Sequence, residues 1–280
     1  MMGEMPLAKK PSRLQLLPLC GRGWIGAISA VVCVGVCVVV LFTTALPGSD
    51  ALGSRRSNRS SSGYILIYSG RAVCDGCAAS IGDVASAVGL PVRYVARPGN
   101  VAGLLAGARA FVVPGTDDNI ESMRRSFNRS VRPALRAYLR GGGRYWGLCG
   151  GAFLAVRHYW ATETQYVSAL GIVPANAETY SDNARPHLEK VRWYRHLRRM
   201  YYEGGPYFMR TSRHAPTKVL ATYSDGSIAA LAYRYGKGKV IVTGPHPEAT
   251  RDWLIEDGIA PTGWKPTFPL AVAMLRNLLS

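Results

Sequence analysis

A chain of 280 residues that is 48% hydrophobic can bury one sizeable core, and two compact domains would be cramped in it. The formal charge of +17 favours anionic partners such as acidic lipid, nucleic acid, a cell-wall polymer or an acidic small molecule, or else marks a solvated basic surface. No RNA-binding aromatic signature, zinc-finger spacing or basic-zipper pattern accompanies that charge, so nucleic acid is not an expected partner.

Residues 1–22 form a basic segment with Lys9, Lys10, Arg13 and Arg22. No charged side chain occurs from Gly23 to Ser49, and the run from Trp24 to Leu46 is long enough to cross a hydrocarbon core of ~30 Å. Residues 23–47 are therefore expected to be a single-pass transmembrane helix or signal anchor. The positive charges before it and Trp24 at its start orient the rest of the chain to the extracytoplasmic side. The run is longer than the apolar core of a cleaved signal peptide, and no clean small-x-small cleavage site follows it. Residues 48–62 read as a flexible linker and 63–280 as the folded domain. Residues 1–60 hold seven Lys/Arg against two Asp/Glu, so +12 of the charge belongs to the remainder.

Within that domain, Tyr64–Tyr68 reads as a buried parallel strand ending at Ser69-Gly70. A helix over Cys77–Val88 follows, then a strand at Val92–Val95, a helical stretch near Leu104–Ala108 and a strand from Ala110 into Pro114-Gly115. Ile120–Leu139 carries a helical pattern that closes in three glycines. A fourth strand from Arg144 feeds a helix over Gly150–His158. This alternation predicts a flavodoxin-like, mainly parallel α/β sheet flanked by helices. Residues 165–235 are richer in Tyr, Val, Thr and Arg and predict a β-rich excursion after the nucleophile helix. Its hairpin is formed by Val219–Tyr223 and Ile228–Tyr233. Val240–Gly244 is another buried strand, and Phe268–Leu279 an amphipathic helix.

The chemistry concentrates at two points. Gly147-Leu148-Cys149-Gly150-Gly151-Ala152 lies between a strand and a helix, where a nucleophile sits on a tight turn and its neighbours must be small to admit substrate. The helix N-terminus behind Cys149 favours negative charge, and the Gly150 N–H can point at a developing oxyanion. Thr243-Gly244-Pro245-His246-Pro247-Glu248 follows another buried strand. A cysteine nucleophile needs a base and that base needs an acceptor, and His246 with Glu248 supplies both, because alternate residues of an extended segment face one side. The expected catalytic set is Cys149, His246 and Glu248.

These two motifs together resemble the class I glutamine amidotransferase-like superfamily, and more closely its biotin-protein-ligase N-terminal-domain-like branch. Four further stretches share in that resemblance: Ser69–Cys77, Val113–Asp118, Arg140–Gly147 and Met200–Phe208. It covers about residues 63–280. The resemblance implies the triad at the carboxyl ends of the strands and the Gly115 amide as a second oxyanion donor beside Gly150. Where the branch often has Pro-Gly-Gly, this chain has Pro114-Gly115-Thr116. Neither a biotin-ligase catalytic domain nor a synthetase domain to receive ammonia is present in the sequence, and no cofactor is expected.

Cys74-Asp75-Gly76-Cys77 leaves three readings open: a disulfide, thiols that line the site, or two ligands of a metal site that lacks its other two. In this fold the end of the first strand borders the pocket, so Arg71 and Cys74 are candidate substrate contacts, with Arg71 suited to a carboxylate, and Tyr207 is a third. Arg185–Arg199 is the densest basic run, read either as a contact for anionic lipid or polymer or as a solvated strand pair. Function then stands between three readings. One is a membrane-anchored cysteine hydrolase or amidase acting on a small amide or ester. The second is a non-catalytic binding or sensor domain that keeps the pocket, and the third a redox protein using Cys74 and Cys77.

Overall fold

The computed structural model describes residues 63–280 apart from 118, 119, 163, 184 and 213. The expected transmembrane segment at 23–47 lies outside the described residues. No helix among those described is long and apolar enough to cross a membrane.

The first half alternates strand and helix. Strands β1 (Tyr64–Tyr68), β2 (Val92–Val95), β3 (Ala108–Val113) and β4 (Arg144–Leu148) are linked by helices α1 (Cys77–Ala87), α2 (Pro98–Leu105), α3 (Ile120–Ser130) and α4 (Arg132–Arg140). Helix α5 (Gly150–Ala155) leaves β4 directly, and the chain then turns to strands. These are β5 (His158–Thr162), β6 (Gln165–Ser168), β7 (Ala175–Thr179), β8 (His187–Trp193), β9 (His196–Tyr202), β10 (Pro206–Arg210), β11 (Thr217–Tyr223), β12 (Ile228–Tyr235) and β13 (Gly238–Thr243). Helices α6 (Arg251–Glu256) and α7 (Phe268–Leu279) close the chain.

The strands run in the order β2-β1-β3-β4-β13-β12-β10-β7-β5-β6, with β11, β8 and β9 continuing from β12 on a branch. Pairing is parallel from β2 to β13 and turns antiparallel at β12. The parallel, flavodoxin-like part was expected, and so was the β-rich excursion that extends it. Three details differ. The pattern over Ile120–Leu139 is two helices, broken at Val131 just before Pro133, whose ring cannot continue the first. The helix after Cys149 stops at Ala155 rather than reaching His158, which already begins β5. The helix expected near Leu104–Ala108 ends at Leu105, and Ala108 starts β3.

Alternate residues of the central strands face opposite layers, which is why they read as continuous apolar runs. Leu66, Phe111, Val113 and Tyr145 pack with Phe127, Leu135 and Leu139 from α3 and α4. Ile65, Ile67, Val112 and Trp146 pack with Ile81 and Val84 of α1 and Ala271 and Leu275 of α7. Each large apolar side chain buried this way contributes roughly 1.5–3 kcal/mol. Both faces of the parallel sheet are therefore covered, and its carboxyl edge is left for chemistry.

Candidate active site

Register places the two motifs side by side. Leu148 at the end of β4 pairs with Thr243 at the end of β13, and the Cys149 N–H donates to the Thr243 carbonyl at 2.9 Å. Cys149 then turns sharply, with φ 47° and ψ −109°, before the chain enters α5. A positive φ on a side-chain-bearing residue is strained and persists only where the surroundings enforce it. Here β4 and β13 hold one side of the turn. On the other the Gly151 N–H donates to the Pro114 carbonyl at 3.1 Å. A Cβ on Gly151 would overlap the Val113 carbonyl oxygen, so the helix can pack this close to β3 only with glycine there. Gly151→Ala is expected to lower stability by about 1–3 kcal/mol, read from the denaturation midpoint.

Glu248 is 0% exposed and His246 3% exposed, and His246 Nδ1 lies 2.9 Å from Glu248 Oε1. The carboxylate accepts the Nδ1–H, which fixes the tautomer and leaves Nε2 free, and Cys149 is near enough to favour the charged imidazole. Burial pushes His246 down, but the Glu248 charge and the contact with Cys149 outweigh it and hold the imidazole well above its ordinary value. Glu248 Oε2 is buried without a hydrogen-bond partner, so His246 is the group that compensates this carboxylate.

The second support for His246 was not anticipated from the sequence. Its N–H donates to the Tyr201 carbonyl at 2.9 Å in an isolated antiparallel bridge. The rings of Tyr201 and Trp253 each stand edge-on to the imidazole at 5.6 Å. Tyr201 belongs to β9, far off the central sheet path, so no local motif could announce it.

Gly115 lies between the base and the first-strand loop. A Cβ built on it would stand 2.7 Å from His246 Cε1 and 3.0 Å from Cys74 Sγ, so only glycine separates the two. Cys74 and Cys77 are joined in a disulfide at this point, the first of the three readings of the C-x-x-C pair. Among the described residues, no group of three or more His, Cys, Asp or Glu is placed to hold a metal ion. Thr116 packs onto Gly150, where a Cβ would collide with it, so the Pro114-Gly115-Thr116 turn uses its extra side chain to cover the first residue of α5. Gly150 is a first-turn residue, and a helix leaves such amides without an intrahelical acceptor.

A cavity of about 340 Å³ opens on Cys149. Thr116, Asp117, Ile120, Gly150, Phe153 and Tyr159 line it, and Trp160, Ala161, Thr179, Glu203 and Gly204 complete the wall. The Cys149 thiol donates to the Glu203 carbonyl at 3.4 Å. The three expected substrate contacts do not line this space. Arg71 is exposed, Cys74 is tied into the disulfide behind Gly115, and the Tyr207 hydroxyl is committed to Glu178 at 2.7 Å. The β-rich excursion supplies Tyr159, Trp160, Thr179 and Glu203 in their place. The basic run over 185–199 is the β8–β9 hairpin, which carries exposed Arg192, Arg195, His196, Arg198 and Arg199 away from the cavity lining.

With this geometry in view, the likenesses to known proteins fall into place. Residues 164–261 match the family model described as biotin-protein ligase, N terminal, a span that includes His246 and Glu248 but not Cys149. A biotin–protein ligase of Schizosaccharomyces pombe is 26% identical over 149 residues, which are 44% of this chain and 23% of the yeast protein. The match thus spans about a quarter of that relative's length. Among solved structures, a glutamine amidotransferase is 18% identical with a TM-score of 0.52, over 70% of this chain and 100% of that one. PurLQS from Thermotoga maritima is 13% identical with a TM-score of 0.51, over 76% and 99%. A cytoplasmic protein from Salmonella typhimurium LT2 is 14% identical with a TM-score of 0.51, over 77% and 98%. The fold is glutamine amidotransferase-like. Together these findings support the superfamily that the sequence resembles, including its biotin-protein-ligase N-terminal branch.

Proposed function

We propose that this chain is a membrane-anchored, cysteine-dependent hydrolase or amidase acting on a small amide or ester. The observation that carries the reading is a strained Cys149 that opens on the cavity, backed by a buried His246 whose charge it influences and by a Glu248 whose paired oxygen holds His246. His246 accepts the thiol proton as Sγ attacks the carbonyl carbon, and the carbonyl electron pair moves to oxygen. The Gly150 amide, with the Gly115 amide as second donor, faces that oxyanion. Collapse restores the carbonyl and expels the amine or alcohol, which takes the proton from His246. Water then loses a proton to His246 and attacks the thioester, and a second collapse frees the acid and returns Cys149 to its thiol form. An amine in place of water would complete a transfer.

Residues 23–47 serve as the anchor in this reading, with the basic residues 1–22 inside and the domain outside. The Cys74–Cys77 disulfide supports that placement, since such bonds persist in oxidising compartments. Protease access to the domain in intact cells tests it, and protection of the domain would reverse the orientation. The β8–β9 hairpin, basic and exposed near its turn, is the proposed contact for anionic lipid or polymer.

Incubation with an electrophilic amide analogue is expected to leave one adduct, on Cys149, that disappears in Cys149→Ala. Labelling that persists unchanged in the variant removes the nucleophile assignment. A folded protein whose Cys149 stays unlabelled favours the binding-domain alternative.

A further inference from the structure

The wall of the cavity has a charge opposite to that of the molecule. The chain carries +17, yet among the described residues no Lys or Arg lines the space in front of Cys149, whereas Asp117 and Glu203 do. Glu203 is fixed at both ends of its residue. Its carbonyl accepts from the Cys149 thiol, and its Oε2 lies 3.1 Å from the Tyr201 hydroxyl, the ring of which packs on His246.

That hydroxyl is also 2.7 Å from Asp257 Oδ2. A phenol has one proton to donate. Two carboxylates therefore compete for that one proton, and a single phenol does not neutralise both. Burial and the two carboxylates push the Tyr201 hydroxyl far above its ordinary value, so it does not ionise to change this count. A cation placed against Glu203 is attracted by this carboxylate pair, and an anion is repelled by it. The remaining wall offers what a desolvated cation also prefers. Phe153, Tyr159 and Trp160 line the cavity, and Trp160, 40% exposed, presents ring surface to solvent.

We propose that the substrate of this site is a cationic amide or ester, one bearing an ammonium or guanidinium group, and that Glu203 is its specificity-determining residue. This rests on the reading of Cys149 as a nucleophile. It also replaces the expectation of a substrate carboxylate held by Arg71, which stands exposed and away from the cavity lining. The positive field of the whole chain works against such a ligand at long range. At physiological salt that field is screened beyond about 8 Å, and the local carboxylates decide.

Charge-paired thiol reagents test this without a known substrate. The full-length protein is treated with 2-aminoethyl, methyl or 2-sulfonatoethyl methanethiosulfonate. In each case the Cys149 sulfur attacks the sulfenyl sulfur, expels methanesulfinate and keeps a mixed disulfide. Adducts at Cys149 are followed by peptide mass spectrometry, and each rate is divided by that of a small free thiol. The cationic reagent is expected to exceed the anionic one by about tenfold or more. Glu203→Gln should shrink that ratio at least severalfold, and Glu203→Lys should bring it to unity or below. Asp117→Asn provides a second reading in the same direction should a Glu203 variant fail to fold. A wild-type ratio of one or less, or a ratio that Glu203→Gln leaves unchanged, overturns the inference while the nucleophile reading stands. A Cys149 that reacts with none of the three reagents overturns both.

Discussion

Replacing His246 with Gln is expected to slow acylation of Cys149 by about 10²–10⁴-fold, the range that a positioned general base supplies. The measurement is the pre-steady-state release of p-nitrophenol from p-nitrophenyl acetate, a generic acyl donor, with the adduct located on Cys149. The size of the effect follows from the geometry, since His246 is 3% exposed, its ring held by Glu248 at 2.9 Å and its backbone N–H by the Tyr201 carbonyl at 2.9 Å. Water cannot stand in easily for a base held in so closed a place. Glutamine keeps an amide N–H for the buried carboxylate, so the fold is expected to survive the change. An acylation rate within threefold of wild type, in a variant that is still folded, would sink the assignment of His246 as base.

The second large effect concerns stability. Glu248→Ala removes the carboxylate that holds a buried, positively shifted imidazole, and uncoupling one side of such a pair typically costs about 3–5 kcal/mol. The pH dependence has a definite sign. The folded-state value of His246 lies above the ordinary histidine value, so its contribution is fully present below about pH 6.5 and is lost as pH rises through the raised folded value. The gap in melting temperature between wild type and Glu248→Gln should therefore be widest in mildly acidic solution and narrow as the solution is made alkaline. A gap that widens with pH instead would mean that His246 is neutral in the folded protein. The Glu248 charge would then serve only to orient the ring.

Much of this site was legible before any fold was known. Cys149 and its glycines form a local pattern because a strand-to-helix turn with a strained nucleophile tolerates only small neighbours, a constraint written into adjacent residues. His246 and Glu248 are two residues apart and face one side for the same local reason. The parallel core showed itself as apolar runs because both faces of β1, β3, β4 and β13 are covered. Helix ends were less legible. Helix α3 stops at Ser130 ahead of Pro133, and α5 stops at Ala155 where β5 soon begins, and periodicity alone runs through both.

The substrate side was not legible, and Arg71 and Tyr207 show why. Arg71 was placed near the pocket by its position after the first strand and Tyr207 by its place in the 200–208 stretch, but side-chain direction is set by packing that no short window contains. Arg71 turns to solvent, and Tyr207 is drawn to Glu178 on the neighbouring strand β7. The aromatic wall comes from β5, which sequence periodicity assigned in part to the helix before it.

Spacing within one or two elements was enough to point to the Cys149 turn, to His246 with its acceptor Glu248, and to the alternating core that carries them. Only the tertiary structure decided how they are held and what they face. The β4–β13 register brings Cys149 to His246, and Tyr201 arrives from a distant hairpin to buttress the base. Glu203 follows it into the cavity wall, its carbonyl against the Cys149 thiol, so a strongly basic chain lines this space with an acidic residue. Net charge is a sum over the whole surface and carries no address, whereas the charge met at Cys149 depends on which few side chains the fold brings within one screening length.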